Sequence, residues 1–399
     1  MTFRKVRYLT VLLLVALLSI SAISVDRLKA NVTWLADPAR EGRKAGSAGG
    51  GASAEYIAGK MRETGYSVQM QEFGGNRRNV IGRWGDADKY IVIGSHYDGQ
   101  GRGFPSASDN AAGTAVVLEL ARELKDEGLP VSIVAIAFDD EEQGMNGSRY
   151  YVEHSPYPLE NAVAAMVFDT LGRSFMDLSP WTLFVLGTEY SKELAGVVEK
   201  RARPEMLVAG TDLIGPRSDF TSFAVKHVPY LFFTDGTHKD YHGEGDTAAK
   251  VDYPHLAQDA AVIAQIAKDI GRLSTKPQYL DDPIYPKVET EALEKQFTQV
   301  ERERKDLPAA YRLMFADLRT RLKTDTTREA PQMAATALLA LATPRLSAMM
   351  LTFFLGPFYE GEKKTEIAIA IYEEAIKYSE DGAGRRELER KVKALRGGK

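Results

Sequence analysis

The feature of this sequence that most constrains its fold is a pattern that occurs three times: an apolar segment of strand length followed by side chains that can bind metal ions. The three segments and the residues that follow them are 90–94 with His96, 131–138 with the acidic run 139–142, and 163–168 with Asp169. Short, β-branched segments of this kind are typical of strands buried on both faces of a sheet. Ligands of open α/β sheets bind where the strands end. We therefore expect three strands to bring these side chains to one cleft.

The chain up to about residue 275 alternates between strand-like and helix-like segments. Further strands are predicted at 66–73, 79–84, 181–186 and 228–233, and helices at 53–65, 110–124 and 254–270. Ser53 is a suitable N-cap for the first of these helices, and Gly65 would end it. Asp109 directly precedes the second helix, after a loop that contains Gly and Pro. This alternation predicts a doubly wound α/β domain.

The character of the sequence changes after a linker marked by Pro277, Pro283 and Pro286. Beyond this linker the chain is charged and helical in pattern, with almost no strand signal. The predicted division is 31–275 for the first domain, 276–290 for the linker and 291–399 for an all-helical C-terminal domain. We expect the helical domain to act as a cap or to dock a partner that the sequence does not identify.

Two parts of the C-terminal domain bear on membrane contact. Residues 333–358 are unusually apolar, but Pro344 and Arg345 interrupt them, and neither half reaches the roughly 20 residues that a membrane-spanning helix needs. We interpret them as two buried helices rather than as a membrane-inserted hairpin. The basic residues within 385–399 are interpreted as a solvated helix face, with contact to anionic membrane lipid as the alternative.

The N-terminus predicts export. Basic residues within 4–7 precede the apolar segment 8–23, which has the length of a signal-peptide core and is short for a membrane span. Ala22 and Ser24 are small residues with the spacing of a cleavage signature. We predict that residues 1–24 are a signal peptide, or an N-terminal membrane anchor if they stay uncleaved, and that the protein is periplasmic or secreted.

The composition restricts the chemistry. The chain has no cysteine, which excludes disulfides, thiolate zinc fingers, iron–sulfur clusters and a cysteine nucleophile. Any metal ion must therefore be held by histidine and carboxylate side chains. The net charge of −4 provides no basic footprint for nucleic acid, so no nucleic-acid partner is expected.

Six side chains form the predicted metal centre. They are His96, Asp109, Glu141, Glu142, Asp169 and His242. Two imidazoles and three carboxylates make a balanced ligand set for two zinc-type ions that share one carboxylate, and other divalent metals are possible. One of the two adjacent glutamates would bind metal, while the other would remain free as a general base, because neighbours on an extended strand end point in different directions.

Two further carboxylates are placed to orient the histidines. Asp98 lies two residues from His96 and is expected to accept the second N–H of that imidazole. Asp246 lies four residues from His242 and is expected to do the same there. Three other histidines have no ligand-like context and are interpreted as structural: His154, His227 and His255.

Seven short motifs follow one another across the first domain. They are REGRKAGSAG at 40–49, GSHYDG around His96, SDNAAG around Asp109, DEEQGMNGS around Glu141, VFDTLG around Asp169, RSDFTSF around Asp219 and DYHGEGDT around His242. In order and spacing they resemble metallopeptidase family 28, the aminopeptidase Y-like dizinc aminopeptidases. The resemblance covers about residues 34–270. It implies a mixed, mostly parallel central sheet flanked by helices, the phosphorylase/hydrolase-like fold of zinc-dependent exopeptidases.

The resemblance also implies how the ligands are divided between two zinc ions. His96 and Asp169 would hold one ion. Glu142 and His242 would hold the other, and Asp109 would bridge the two.

Other residues near the motifs are expected to shape substrate binding. Phe220, Phe223 and Tyr241 are candidates to line the substrate pocket, with ordinary core packing expected for at least one of them. Phe220 stands where the family often has His, which bears on substrate preference rather than on catalysis. His242 is preferred to its neighbour His238 as the ligand, because it follows Tyr241 and precedes an Asp-Thr pair as in the family.

The function implied by the resemblance is that of an exported, metal-dependent aminopeptidase acting on peptides. Glu141 would be the general base that activates a metal-bridging water for hydrolysis of the N-terminal peptide bond. Two related activities remain as alternatives: a glutaminyl cyclase-like acyltransferase with a single zinc ion, and a carboxypeptidase. A non-catalytic binding or anchoring protein is a further alternative, which the presence of Glu141 disfavours.

Overall fold

The computed structural model of the chain describes residues 23–179, 181–324, 327–380 and 382–397. The predicted leader, residues 1–24, lies outside the described residues except for its last two positions. The strands are β1 (Ser67–Glu72), β2 (Arg78–Trp84), β3 (Tyr90–His96), β4 (Ser132–Phe138), β5 (Ala162–Phe168), β6 (Leu183–Leu186), β7 (Met206–Ala209) and β8 (Tyr230–Thr234).

Helices accompany this sheet and then form the C-terminal segment. Those of the α/β part are α1 (Val25–Leu35), α2 (Ala48–Glu63), α3 (Gly113–Leu124), α4 (Asn146–Glu153), α5 (Lys192–Lys200), α6 (Phe220–Val225) and α7 (Tyr253–Gly271). Those of the C-terminal segment are α8 (Glu289–Glu303), α9 (Ala309–Thr324), α10 (Glu329–Leu339), α11 (Pro344–Met350), α12 (Gly356–Gly361), α13 (Thr365–Lys377) and α14 (Ala383–Gly397).

The strands form one sheet in the order β1-β2-β4-β3-β5-β8-β6-β7. The four central strands β4, β3, β5 and β8 run parallel to one another. β2 pairs antiparallel with β4 on one side, and β6 pairs antiparallel with β8 on the other. The sheet is therefore mixed and mostly parallel, with helices packed on it and a helical C-terminal segment, which confirms the predicted fold class.

Strand β3 shows why the predicted strands are apolar throughout. Ile91 and Ile93 pack on one face of the sheet, in a core that includes α1, α2, α3 and α7. Tyr90 and Val92 pack on the other face, in a core that includes α4 and α6. Because successive side chains of a strand point to opposite faces, burial on both sides requires an uninterrupted apolar segment.

Helix α2 begins earlier than the sequence predicted. Ser47, and not Ser53, is the N-cap, and its Oγ accepts a hydrogen bond of 3.0 Å from the amide of Gly50. Gly49 lies in the first turn because the helix packs closely against the backbone of Arg40, where a Cβ at this glycine would lie 1.8 Å from the carbonyl oxygen. The glycine-rich segment therefore permits close packing of the helix against this backbone.

The C-terminal helices share a hydrophobic core with the α/β part of the chain. Phe175, Met176 and Leu213 of the α/β part belong to the same buried cluster as side chains from α8 to α14. The apolar segment 333–358 contributes α10, α11, an irregular turn and the start of α12 to this region. Among the described residues, no helix combines the length and apolar character that crossing a membrane would require.

A charged junction joins the two parts at the edge of this core. Arg328, at the start of α10, donates hydrogen bonds of 3.0 and 2.6 Å to the carboxylate of Asp212 and also pairs with Glu289 of α8. The carboxylate of Glu289 accepts a hydrogen bond of 2.7 Å from the amide of Gly210. The guanidinium of Arg328 also lies 3.5 Å from the ring centroid of Tyr285. The junction fixes α8 and α10 against the end of β7.

Candidate metal centre

Three neighbouring strands bring the predicted ligands to one edge of the sheet. β3 lies between β4 and β5 and runs parallel to both. His96 is the last residue of β3, Asp169 directly follows β5, and Glu141 lies three residues beyond β4. Because the three strands end at the same edge, these side chains meet there. Asp109 joins them from an irregular turn before α3, and His242 from the loop after β8.

His96, Asp109 and Asp169 form the first potential ligand group. Nε2 of His96 lies 3.3 Å from Oδ1 of Asp109 and 3.4 Å from Oδ1 of Asp169. All three residues are buried. Ligand atoms about 2.0–2.1 Å from a tetrahedral ion stand about 3.3 Å from one another. The spacing of the group therefore suits an ion of the zinc type.

Asp109, Glu142 and His242 form the second potential ligand group. Nε2 of His242 lies 3.0 Å from Oδ2 of Asp109 and 3.4 Å from Oε2 of Glu142. Asp109 thus presents one carboxylate oxygen to each group, which is the arrangement of a bridging ligand. Oε1 of Glu142 is buried and has no hydrogen-bond partner among the described residues, which fits a ligand atom.

The charges of the cluster show why it suits cations. Burial, together with the charge of Asp109, raises the pKa of Glu142 to about 8. Burial alone would lower the pKa of His242, but the hydrogen bond from its ring to Asp109 raises it to about 9. At neutral pH the cluster without metal therefore holds protons, which divalent ions would displace. The donor set fits two zinc ions or other divalent metals that accept imidazole and carboxylate ligands.

Glu141 lies beside the cluster but in neither ligand group. Its Oε2 is 4.0 Å from Nε2 of His96. Burial is the main reason that the pKa of Glu141 lies well above the usual range of a carboxyl group, although His96 opposes the shift. Divalent ions bound nearby would favour the ionised form. A carboxylate in this position can accept a proton from water without itself being a ligand.

Asp98 occupies the position that the sequence predicted beside His96. Nδ1 of His96 lies 3.3 Å from the carbonyl oxygen of Asp98 and 3.4 Å from its carboxylate Oδ1. The same carboxylate accepts hydrogen bonds from the amides of Glu141, at 3.0 Å, and Glu142, at 3.3 Å. One buried side chain therefore orients the first histidine and also fixes the backbone that carries both glutamates.

Asp246 does not take the position that the sequence predicted beside His242. Its carboxylate accepts hydrogen bonds from the amide and the hydroxyl of Ser108, at 3.1 and 2.9 Å, and from the amide of Asp109, at 3.2 Å. The prediction was wrong because a spacing of four residues brings side chains together on a helix, and this segment is a loop. Asp246 instead holds the backbone of the bridging carboxylate.

His238, the alternative ligand, also packs into this loop. It is fully buried, and its Nε2 lies 2.7 Å from Oγ of Ser108. His242, in contrast, has a side chain that is 35% exposed, and its Nε2 faces Asp109 and Glu142. The structure therefore places His242, and not His238, in a potential ligand group.

Arg43 is a buried residue whose role the sequence analysis missed. Its guanidinium donates hydrogen bonds to four backbone carbonyl oxygens, those of Leu35, Tyr97, Pro105 and Ser106. These bonds tie the segment before α2 to both ends of the loop that follows β3, which contains Asp98. The signal that could have identified it is its place in the REGRKAGSAG motif, where no role was assigned.

Asp219 is a second buried group without an assigned role. It is fully buried, and burial raises its pKa to about 7. Its charge in turn contributes to the raised pKa of Glu141. The RSDFTSF motif pointed to this position, but the sequence did not indicate that it lies beside the predicted base.

The three aromatic residues expected in the pocket separate into two kinds. Phe220 and Phe223 pack in the hydrophobic core around α6, while Tyr241 lines an apolar cavity that opens beside Asp169. Core packing, expected for at least one of the three, is found for both phenylalanines. The three histidines interpreted as structural each stack on an aromatic ring: His154 on Tyr150, His227 on Tyr279 and His255 on Trp181.

Two solved structures are similar to this one over somewhat less than two thirds of the chain. BSAP, a zinc aminopeptidase from Bacillus subtilis, aligns with a TM-score of 0.56 at 17% identity, over 65% of this chain and 99% of that one. A glutaminyl cyclase from Porphyromonas gingivalis aligns with a TM-score of 0.53 at 19% identity, over 62% of this chain and 99% of that one. At these identities the similarity shows a common fold, which different activities can share.

Sequence comparison finds similarity to a peptidase family in part of the chain. Residues 79–267 match the family model of peptidase family M28. Leupeptin-inactivating enzyme 1 from Streptomyces exfoliatus is 32% identical over 161 residues, which are 38% of this chain and 36% of that protein. Aminopeptidase YwaD from Bacillus subtilis is 38% identical over 86 residues, 21% of this chain and 19% of that protein. The chain thus spans about a third or less of these relatives, and the segment 79–267 that matches the M28 family model contains all the candidate ligands.

Proposed function

We propose that this protein is a metal-dependent aminopeptidase that hydrolyses the N-terminal bond of peptides. The observation that carries the proposal is the pair of ligand groups that share Asp109, with Glu141 beside them but in neither group. The family match and the relatives named as aminopeptidases support the same activity. We also propose two zinc ions as the cofactors, because two ligand groups are present and the spacing of each suits such an ion.

Each residue of the centre has a role in this proposal. His96 and Asp169 would hold one ion, Glu142 and His242 the other, and Asp109 both. Zinc ions bound there would polarise the peptide carbonyl and lower the pKa of water.

Glu141 would accept the proton of the attacking water and then donate it to the amine that leaves. Asp98 would keep Glu141 in place through the hydrogen bond to its amide.

The test of the proposed base is the isosteric substitution Glu141→Gln. We expect two metal ions per chain, measured by elemental analysis, and a loss of about 10²–10⁴-fold in the hydrolysis of aminoacyl p-nitroanilides, the usual contribution of a general base. Glu244→Gln is the matched control, because Glu244 is exposed in the His242 loop. Unchanged hydrolysis by Glu141→Gln would contradict the assignment.

The number of bound metal ions, and the response to substrates with a blocked N-terminus, distinguish the aminopeptidase from the two alternative activities. A single bound zinc with cyclisation of N-terminal glutamine would indicate a glutaminyl cyclase-like acyltransferase. Hydrolysis of peptides whose N-terminus is acetylated would indicate a carboxypeptidase. The aminopeptidase proposal requires two ions and a free α-amine.

We further propose that the protein is exported through residues 1–24, as a periplasmic or secreted protein, or as one anchored by an uncleaved leader. The basic start and the apolar segment 8–23 support this. Cell fractionation and N-terminal sequencing of the mature protein test it. A protein recovered from the cytoplasm with Met1 intact would contradict it.

A further inference from the structure

An apolar cavity of about 140 Å³ opens beside the metal centre. Asp169, Thr170 and Tyr241 line the part of its wall that adjoins the centre. Another part of the wall comes from the C-terminal helical segment: Ala292, Leu293 and Gln296 of α8, and Ala335, Leu338 and Leu339 of α10. Helices that follow the M28 segment thus line a cavity next to its candidate ligands.

We propose that α8 and α10 form one wall of the pocket for the substrate's N-terminal side chain, and that this wall selects large apolar side chains such as those of leucine and phenylalanine. The inference rests on the proposed aminopeptidase function. It assigns the C-terminal segment a part in substrate selection.

The size and polarity of the cavity determine which class of substrate side chain it can bind. An apolar cavity of about 150 Å³ accommodates a benzene ring, so 140 Å³ suits a leucine or phenylalanine side chain. Among the described residues that line the cavity, Asp169 and Arg217 are the charged ones. Asp169 belongs to the metal centre, and Arg217 is exposed to solvent. A charged substrate side chain would therefore lose water in the cavity without gaining a buried partner.

Asp169 is shared by the cavity wall and the candidate metal centre. Asp169 lines the cavity and also belongs to the first ligand group, with its Oδ1 3.4 Å from Nε2 of His96. A side chain that fills the cavity therefore holds its own backbone next to the metal centre. Contacts with α8 and α10 thus place the bond to be cleaved.

The helical wall is held firmly enough to select by size. Leu293 and Leu338 belong to the core that the C-terminal helices share with Phe175 and Leu213, and all four side chains are buried. Arg328 joins α10 to Asp212, and the amide of Gly210 joins the α/β part to α8. Packed walls resist expansion, so a side chain that does not fit meets a steric penalty.

The test changes the volume of the cavity from the helical side. Ala335→Leu adds three carbon atoms at the wall, and Leu339→Ala removes three. One methylene group in an apolar pocket changes kcat/KM by about 10–200-fold. We therefore expect Ala335→Leu to lower the ratio of kcat/KM for leucyl over alanyl p-nitroanilide by at least about tenfold. Leu339→Ala should raise the ratio for tryptophanyl over leucyl p-nitroanilide.

The matched control is Ala316→Leu, the same substitution on the exposed face of α9 in the helical segment. It should leave both ratios unchanged. Calorimetric binding of free L-leucine and L-alanine, with the metal content of every variant, provides a second measurement that does not depend on turnover. Tighter binding of leucine in the unmodified protein, weakened by Ala335→Leu, supports the pocket.

The outcomes separate the two proposals. If the unmodified protein binds leucine more tightly than alanine but hydrolyses no aminoacyl substrate, the pocket is supported and the aminopeptidase function fails. If it hydrolyses these substrates and both variants keep its ratios and its leucine affinity, the helical wall does not select the side chain and the inference is overturned.

Discussion

The metal centre and the cavity wall lie next to each other but arise from different levels of structure. Three of the five candidate ligands, His96, Glu142 and Asp169, lie at or just beyond the ends of adjacent strands, and each strand is recognisable from its own few residues. The cavity wall combines the segment that matches the M28 model with α8 and α10, two helices that follow it in the chain. Short stretches of sequence therefore indicate most of the candidate ligands, whereas the shape of the proposed substrate pocket depends on how separate segments of the chain pack together.

The largest expected effect that separates the two regions comes from Arg328→Ala. This substitution leaves Glu289, which is 3% exposed, and Asp212 without their shared cation. Breaking a buried ion pair costs about 3–5 kcal/mol, and we expect about 3 kcal/mol here because the side chain of Arg328 is 25% exposed. Urea unfolding measures the loss.

Metal binding should be unaffected by this loss of folding stability. Because Arg328 lies outside the ligand groups, we expect unchanged metal content and a lower preference for leucine over alanine. Arg345→Ala, at an exposed position of the same helical segment, is the control. A loss of metal on Arg328→Ala would show that the two regions are not separable.

A smaller effect, confined to the metal centre, is expected from Asp98→Asn. The carboxamide cannot accept hydrogen bonds from the amides of both Glu141 and Glu142, because one of its two groups is a donor. Loss of such an orienting partner lowers metal affinity by about 10–100-fold. Competition with a chelator measures this affinity, and Asp86→Asn, in an exposed turn before β3, is the control. The preference for leucine over alanine should stay unchanged. A change in this preference would show that the metal centre and the cavity wall are not independent.

The smallest expected effect is the pH dependence of metal binding. In the metal-free protein the pKa values of Glu142 and His242 are raised to about 8 and about 9, so both groups hold a proton at pH 7. A metal ion must displace these protons, and its affinity therefore rises with pH, by about tenfold per unit for each proton displaced. Calorimetry in two buffers of different ionisation enthalpy counts the protons released. An affinity that is constant from pH 6 to 8 would contradict the proton count.

The same division explains how much the sequence could predict. The strand ends and the residues that follow them were predicted because the apolar segments identify the strands without knowledge of their partners. β7 and α1 were missed because a four-residue strand and a helix next to the predicted leader have weak local signals. The start of α2 and the partners of Asp246 were predicted wrongly because contacts with distant backbone determine them.

The domain division stays a prediction, and the shared core gives it a physical context. The linker region 276–290 was predicted from its prolines, but no local pattern indicated that Leu293 and Leu338 would share a core with Phe175 and Leu213. Apolar periodicity identifies which face of a helix is buried and does not identify the surface that buries it. The cavity wall could therefore not be predicted from the sequence.

Arg43 has a consequence for any shortened form of the protein. A polypeptide that started at residue 79, where the match to the M28 family begins, would lack this guanidinium. The carbonyl groups of Tyr97, Pro105 and Ser106 would then lose a common donor, in a region that excludes water. Since Asp98 lies inside that loop, the structural support of the candidate metal centre extends at least as far upstream as Arg43, outside the segment 79–267 that matches the family model.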